Sequence, residues 1–227
     1  MNSGKLALVD SDTNDLTSVY NEVSGGDSPF DTFAETILID DQINLIHSGT
    51  AYKGRAAVES AEKITNKEIE ESGEINNHKS IEKIVKITEF VFIPDELLIM
   101  NDSSGDFLIP LLNRNTAHSV FAAKINLSEC IKRIEEPEYW KVGFENRADG
   151  AENGVLHGEN VLRDSDIGGI LDQSQKNQIG ITHQINEGRA KSFVTKSGYL
   201  ELYEPDHELK GYIQYIFDHI KGCLQIK

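Results

Sequence analysis

Val85-Lys86-Ile87-Thr88-Glu89-Phe90-Val91-Phe92-Ile93 is the stretch on which the fold turns. Side chains of an extended chain alternate, so Val85, Ile87, Glu89, Val91 and Ile93 share one side, and Lys86, Thr88, Phe90 and Phe92 share the other. Pro94-Asp95 then signals a turn, and Leu97-Leu98-Ile99-Met100 supplies a second strand at once. Residues 107–112 read as a third strand, placed at a sheet edge because Pro110 has no N–H to give a ladder. Residues 119–125 make a fourth. Asn126 caps a helix, with Glu129 three positions on in a capping-box arrangement and Leu127, Cys130, Ile131 and Ile134 as the apolar stripe.

The same order recurs downstream. Residues 139–145, 179–185, 189–195 and 199–203 read as strands, with turns at Asn186-Glu187-Gly188 and Ser197-Gly198. A long polar stretch, 146–178, interrupts them. Asp206 is expected to cap a final helix whose face carries Leu209, Tyr212, Ile213, Ile216, Phe217 and Ile220. Upstream, 6–9 and 36–46 hold short apolar runs, and 15–23 looks helical. Residues 54–71 also read as a helix, with Ala57, Val58, Ala61, Ile64 and Ile69 on one face and Gly73 as its stop. The expected fold class is α+β: antiparallel meanders each backed by a C-terminal helix, preceded by an α/β segment. The regions are 1–80, 81–136 and 137–227, the last holding the loop 146–178.

Composition narrows the classes of function. The 227 residues carry a formal net charge of −16, a field that repels phosphate backbones and anionic membranes. Nucleic acid is therefore a disfavoured partner. No run approaches the ~18–20 apolar residues of a membrane helix, and the first residues lack the ~7–15 of a secretory signal. Two cysteines, Cys130 and Cys223, each inside an apolar helical pattern, read as buried thiols. A soluble cytoplasmic protein is the expectation.

One constellation invites a metal. The run 6–9 ends at Asp10-Ser11-Asp12-Thr13-Asn14, and 36–39 ends at Asp40-Asp41. Carboxylates delivered at strand ends could hold Mg²⁺ by oxygen ligands and leave room for a phosphate. The first run resembles the opening motif of haloacid-dehalogenase phosphatases, with Asn14 where that family has threonine; it is similar as well to the start of a response-regulator receiver domain. Both resemblances imply parallel βα repeats, whereas the chain downstream turns to antiparallel meanders. No Walker loop, GxSxG elbow or zinc spacing is present.

The leading expectation is thus a non-catalytic binding or regulatory protein that recognises a protein partner, by its acidic surface or the 146–178 stretch, with no cofactor. His157, Glu159 and Asp164 in that stretch are candidate contacts, as are Arg189 and Lys191, which share a strand face with Phe193. Two alternatives stand beside it. One is a Mg²⁺-dependent phosphoryl-transfer or hydrolytic enzyme using Asp10, Asp12, Asp40 and Asp41; the other is a sheet-based nucleic-acid reader using Arg189 and Lys191.

Overall fold

The computed structural model describes residues 1–45, 49–101, 103–146, 152–164, 168–172, 174–186, 188–204 and 208–227. The expected α+β layering is not what forms. Among the described residues strand far outweighs helix, and the strands join one antiparallel sheet of thirteen. In chain order they are β1 (Ser3–Ser11), β2 (Val19–Ser24), β3 (Thr32–Leu45), β4 (Gly49–Ile69), β5 (Ile75–Ile93), β6 (Leu97–Met100) and β7 (His118–Ile125). There follow β8 (Glu138–Glu145), β9 (Gly154–His157), β10 (Gln175–Ile185), β11 (Gly188–Thr195), β12 (Tyr199–Glu204) and β13 (Leu224–Ile226). The helices are short: α1 (Leu108–Asn115), α2 (Leu127–Arg133), α3 (Gly168–Asp172) and α4 (Leu209–Tyr215). The last continues through a π-helical turn, Ile216–Ile220, and a 3₁₀ turn, Lys221–Cys223.

Lateral order in the sheet is β2-β3-β4-β5-β6-β1-β12-β11-β10-β8-β9. β1 divides one of its edges. Ser3 to Lys5 pair with β12, whereas Ala7 to Ser11 pair with β7, which carries β13 on its far side. The N-terminal strand is therefore the junction of the whole sheet.

Two cores lie on opposite faces of the central strands. On one face, Leu6, Val91, Ile93, Leu97 and Ile99 join Val142, Ile179, Ile181, Val194 and Leu200 beneath α2 and α4. On the other, Ala7, Val9, Phe90, Phe92, Leu98 and Met100 pack on Leu108, Leu111 and Leu112 of α1. All four residues of β6 are fully buried, which is why that strand reads as an unbroken apolar run rather than an alternation.

Several local expectations hold. Asn126 accepts a hydrogen bond from the Glu129 backbone N–H at 3.2 Å and caps α2, and the final helix buries Tyr212, Ile213, Ile216 and Ile220. The capping box is half made, because the Glu129 carboxylate turns to Arg133 at 3.2 Å. Asp206, the expected cap of the last helix, lies outside the described residues. Cys130 and Cys223 are both buried and free.

Three expectations fail for identifiable reasons. Residues 107–112 are helix rather than edge strand, and Pro110 sits in the first turn of α1, where no intrahelical partner for its N–H is needed. Residues 15–23 form no helix; β2 instead pairs with β3 from Val19↔Ile37 to Ser24↔Thr32. The expected helix 54–71 is the outer part of β4. Its alanines, glutamates and lysines favour a helix locally, but pairing with β5, from Tyr52↔Phe92 to Ile69↔Ile75, overrides that preference. Gly73 does adopt positive φ, at 82°, though to turn a hairpin.

Because both faces of β6 are enclosed, Leu98→Ala should leave a void that neither core can close. The substitution is expected to cost about 2–5 kcal/mol, read as a lower denaturant midpoint with an unchanged slope.

Candidate functional site

The pairing of β4 with β5 outruns the sheet. β3 accompanies β4 only as far as Glu35↔Val58, and β6 accompanies β5 only over Phe90 to Ile93. Beyond those points, eleven pairs from Glu59↔Val85 to Ile69↔Ile75 form a two-stranded ribbon whose edges no other strand among the described residues pairs. At about 3.3 Å per residue it projects roughly 36 Å. A hydrogen bond from the Gly73 N–H to Glu70 O, 2.8 Å, closes its tip. A lone two-stranded ribbon has little independent stability in water.

Its two faces differ in kind. One continues the α1 side of the sheet and presents Glu62, Glu68, Glu82 and Lys86 with Ser60, Ser80 and Asn76 around a half-buried pair of aliphatics, Ile64 and Ile84. Most of these groups find partners: Lys86 meets Glu62 at 2.8 Å, His78 meets Glu68 at 3.4 Å, and the Ser80 hydroxyl donates to Glu82 at 2.9 Å, whereas the buried Ser60 hydroxyl has no hydrogen-bond partner among the described residues. The other face continues the α2 and α4 side. It carries Ala57, Ala61, Ile69, Ile75, Ile81, Val85 and Ile87, interleaved with Lys63, Lys67, Lys79 and Lys83. Val85 is 56% exposed, Ile87 60% and Ile75 63%, well above what an aliphatic side chain on a covered sheet shows.

That face extends onto the body of the sheet. Tyr20 and Leu38 are exposed there, in rows with Thr36–Ala57–Ile87 and with Arg55–Glu89. Its body end is acidic, with Glu22, Asp40 and Glu89. Asp40 is bound to Arg55 through two hydrogen bonds of 2.9 and 3.0 Å, which hold its carboxyl below the usual range. At the boundary, Glu59 accepts from the Ala34 N–H at 2.8 Å and from Lys83 at 3.1 Å, and both lower its pKa. Lys63, Lys67 and Lys79 are exposed and meet no carboxylate among the described residues.

The residues singled out from sequence are placed elsewhere, and they do not converge. His157 ends β9, exposed, opposite Lys141 on β8; Glu159 and Asp164 are exposed beyond it. The 146–178 stretch contains β9, a 3₁₀ turn, α3 and the start of β10, with 147–151, 165–167 and 173 outside the described residues. Arg189 is bound to Glu138, and the Lys191 ammonium lies 5.2 Å from the centre of the Trp140 ring. Those two cations are thus committed within the chain, beside an aromatic row of Tyr203, Trp140, Phe193 and Tyr199. Trp140 lies flat on Gly180, where any Cβ would come within 2.5 Å of the indole.

Asp10 and Asp12 stand at the end of β1 and beyond it, whereas Asp40 is the bulged residue of β3 and Asp41 follows it, with β4, β5 and β6 between. Asp41 accepts from the Gln42 N–H at 2.8 Å. No three His, Cys, Asp or Glu side chains among the described residues are grouped to hold a metal ion. No helix among them is long and apolar enough to cross a membrane.

Two buried polar networks escape any reading of spacing. Ser11 and His118 are directly opposed on β1 and β7, with Oγ 2.6 Å from Nδ1, while Nε2 donates to Asp15 O at 3.1 Å. This clamps the turn after β1. Beneath α4, the Tyr215 hydroxyl lies 3.0 Å from His183 Nε2 and 2.9 Å from Ser192 Oγ, and the His183 and His219 rings are 4.8 Å apart. Burial, with His219 adjoining, depresses the His183 pKa to about 4, and burial raises that of Tyr215 to about 12. A cavity of about 530 Å³ opens beside this network, lined by Gln184, Asn186, Gln214, Asp218 and His219. Comparison with protein families, curated proteins and solved structures finds no match.

The depressed His183 pKa makes stability depend on pH. Above about 6.5 the imidazole is neutral in both folded and unfolded chains; between about 6.5 and 4 only the unfolded chain takes up the proton. Stability should therefore fall as pH drops through that window. His183→Gln should flatten the decline, leaving the smaller slope from His118 and His219, whose pKa values burial also lowers. Denaturant midpoints measured across the window test this.

Proposed function

We propose that the chain is a non-catalytic protein-recognition module whose contact surface is the ribbon 59–86. One observation carries this reading: eleven strand pairs leave the body with both edges open and an aliphatic face uncovered. Open edges and exposed aliphatic rows are what a folded protein ordinarily suppresses, and a partner chain can satisfy both at once. A bilayer cannot, because unpaired backbone N–H and C=O groups are costly in hydrocarbon. Nucleic acid fits poorly, since the face offers isoleucine and valine rather than stacking rings. The ribbon takes the place that sequence alone would give to the 146–178 stretch.

Val85 and the adjoining Ile87 form the body end of the contact. A photo-reactive phenylalanine analogue at position 85, expressed in the native cells, is expected to yield one discrete cross-linked species, and the same analogue at Glu159 none. Loss of the adduct in Ile81→Ser/Ile87→Ser would tie it to the aliphatic row. Random labelling at both positions alike, or no adduct at 85, would remove the reading.

A further inference from the structure

We propose that the ribbon's partner is a second copy of this chain, seated face to face about a two-fold axis. This rests on the ribbon being a protein-binding surface and adds the identity of what it binds. The argument begins from how charge is distributed along one continuous face. At the ribbon end lie Lys63, Lys67, Lys79 and Lys83 among Ile69, Ile75, Ile81 and Val85. At the body end lie Glu22 and Glu89, with Asp40 already bound to Arg55, around Tyr20, Leu38 and Ile87. The face is cationic and aliphatic at one end, anionic and apolar at the other.

Such a surface complements itself when one copy is turned end for end upon another. The ribbon of each then covers the acidic end of its mate, and each lysine row meets Glu22 and Glu89. This is the isologous arrangement of two-fold dimers, in which one patch serves both sides. The lysines are unspent for the purpose, because Lys63, Lys67 and Lys79 meet no carboxylate among the described residues. The opposite face offers no such contrast, since Glu62 with Lys86 and Glu68 with His78 are already matched.

Overall charge restricts the approach. Of the formal −16, residues 59–86 contribute −2, from seven acids and five bases, so −14 resides elsewhere. Two such bodies repel at long range, and the lysine-bearing face is a surface that can meet an acidic one favourably. Area points the same way. A two-stranded face about 36 Å long and about 10 Å wide covers about 360 Å²; two reciprocal contacts hide about 1,400 Å² in all, within the roughly 1,200–2,000 Å² of stable interfaces. One ribbon laid on a foreign protein would hide only about half of that.

Sedimentation velocity on the full chain tests the proposal through charge exchange. The wild type should sediment as a dimer at micromolar concentration in low salt, with dissociation favoured as salt rises. Lys63→Glu/Lys67→Glu/Lys79→Glu should be monomeric, as should Glu22→Lys/Glu89→Lys, each with an unchanged circular dichroism spectrum. An equimolar mixture of those two variants should recover the dimer, because each reversed ribbon meets a reversed body and each native ribbon a native one. A wild type that remains monomeric at the highest concentration, a reversed variant that dimerises as the wild type does, or a mixture that stays monomeric would overturn the proposal. A monomer whose position 85 still cross-links to a different protein in cells removes the second copy but leaves the ribbon as a recognition surface; a monomer with no adduct removes both.

Discussion

The structure depends on the enclosure of β6. Leu97-Leu98-Ile99-Met100 has no exposed surface, because alternate side chains enter different cores, Leu97 and Ile99 on the α2 and α4 side, Leu98 and Met100 on the α1 side. A four-residue strand has little ladder energy of its own. It is held by β5 along one edge and β1 along the other, and in return it lets two apolar layers form on a single sheet. Everything lateral is built outward from that seam: β4, β3 and β2 to one side, β12, β11, β10, β8 and β9 to the other.

What could be read in the chain follows from what is buried. Residues 90–93 and 97–100 were legible because their side chains enter the cores, and burial writes alternation or unbroken apolarity into sequence; Val85 and Ile87 carry the alternation on to an exposed face. The strands 139–145, 179–185, 189–195 and 199–203 were legible for the same reason, with Val142, Ile179, Ile181, Val194 and Leu200 facing the helices. The outer part of β4 was not. A ribbon left largely exposed needs no period of two, so Ala61, Ile64 and Ile69 fell by chance on a helical spacing with Ala57 and Val58 of the adjoining sheet. The layered α+β arrangement expected from sequence failed with that misreading, since a helix at 54–71 would have divided the sheet.

The candidate surface was illegible for a related reason. Lys63, Lys67, Lys79, Ile81 and Val85 become one face only when the register Lys63↔Ile81 and Thr65↔Lys79 is known. Attention in one dimension goes to dense clusters such as Asp10-Ser11-Asp12 or the acids near His157. In three dimensions Asp40 is bound to Arg55, Arg189 to Glu138, and Lys191 rests on Trp140, while the residues without partners lie among the least conspicuous of the sequence. The networks at Ser11–His118 and Tyr215–His183–Ser192 likewise join positions that only strand pairing brings together.

The divided edge of β1 has a kinetic consequence. Lys5 pairs with Tyr199 and Ala7 with Ala122, so β1 waits for partners made more than a hundred residues later before its ladder closes. Pairings so remote in sequence slow folding, because loop-closure entropy is lost before the contact repays it. During synthesis, Leu6-Ala7-Leu8-Val9 is an unshielded apolar thread, the segment on which a nascent-chain chaperone would act.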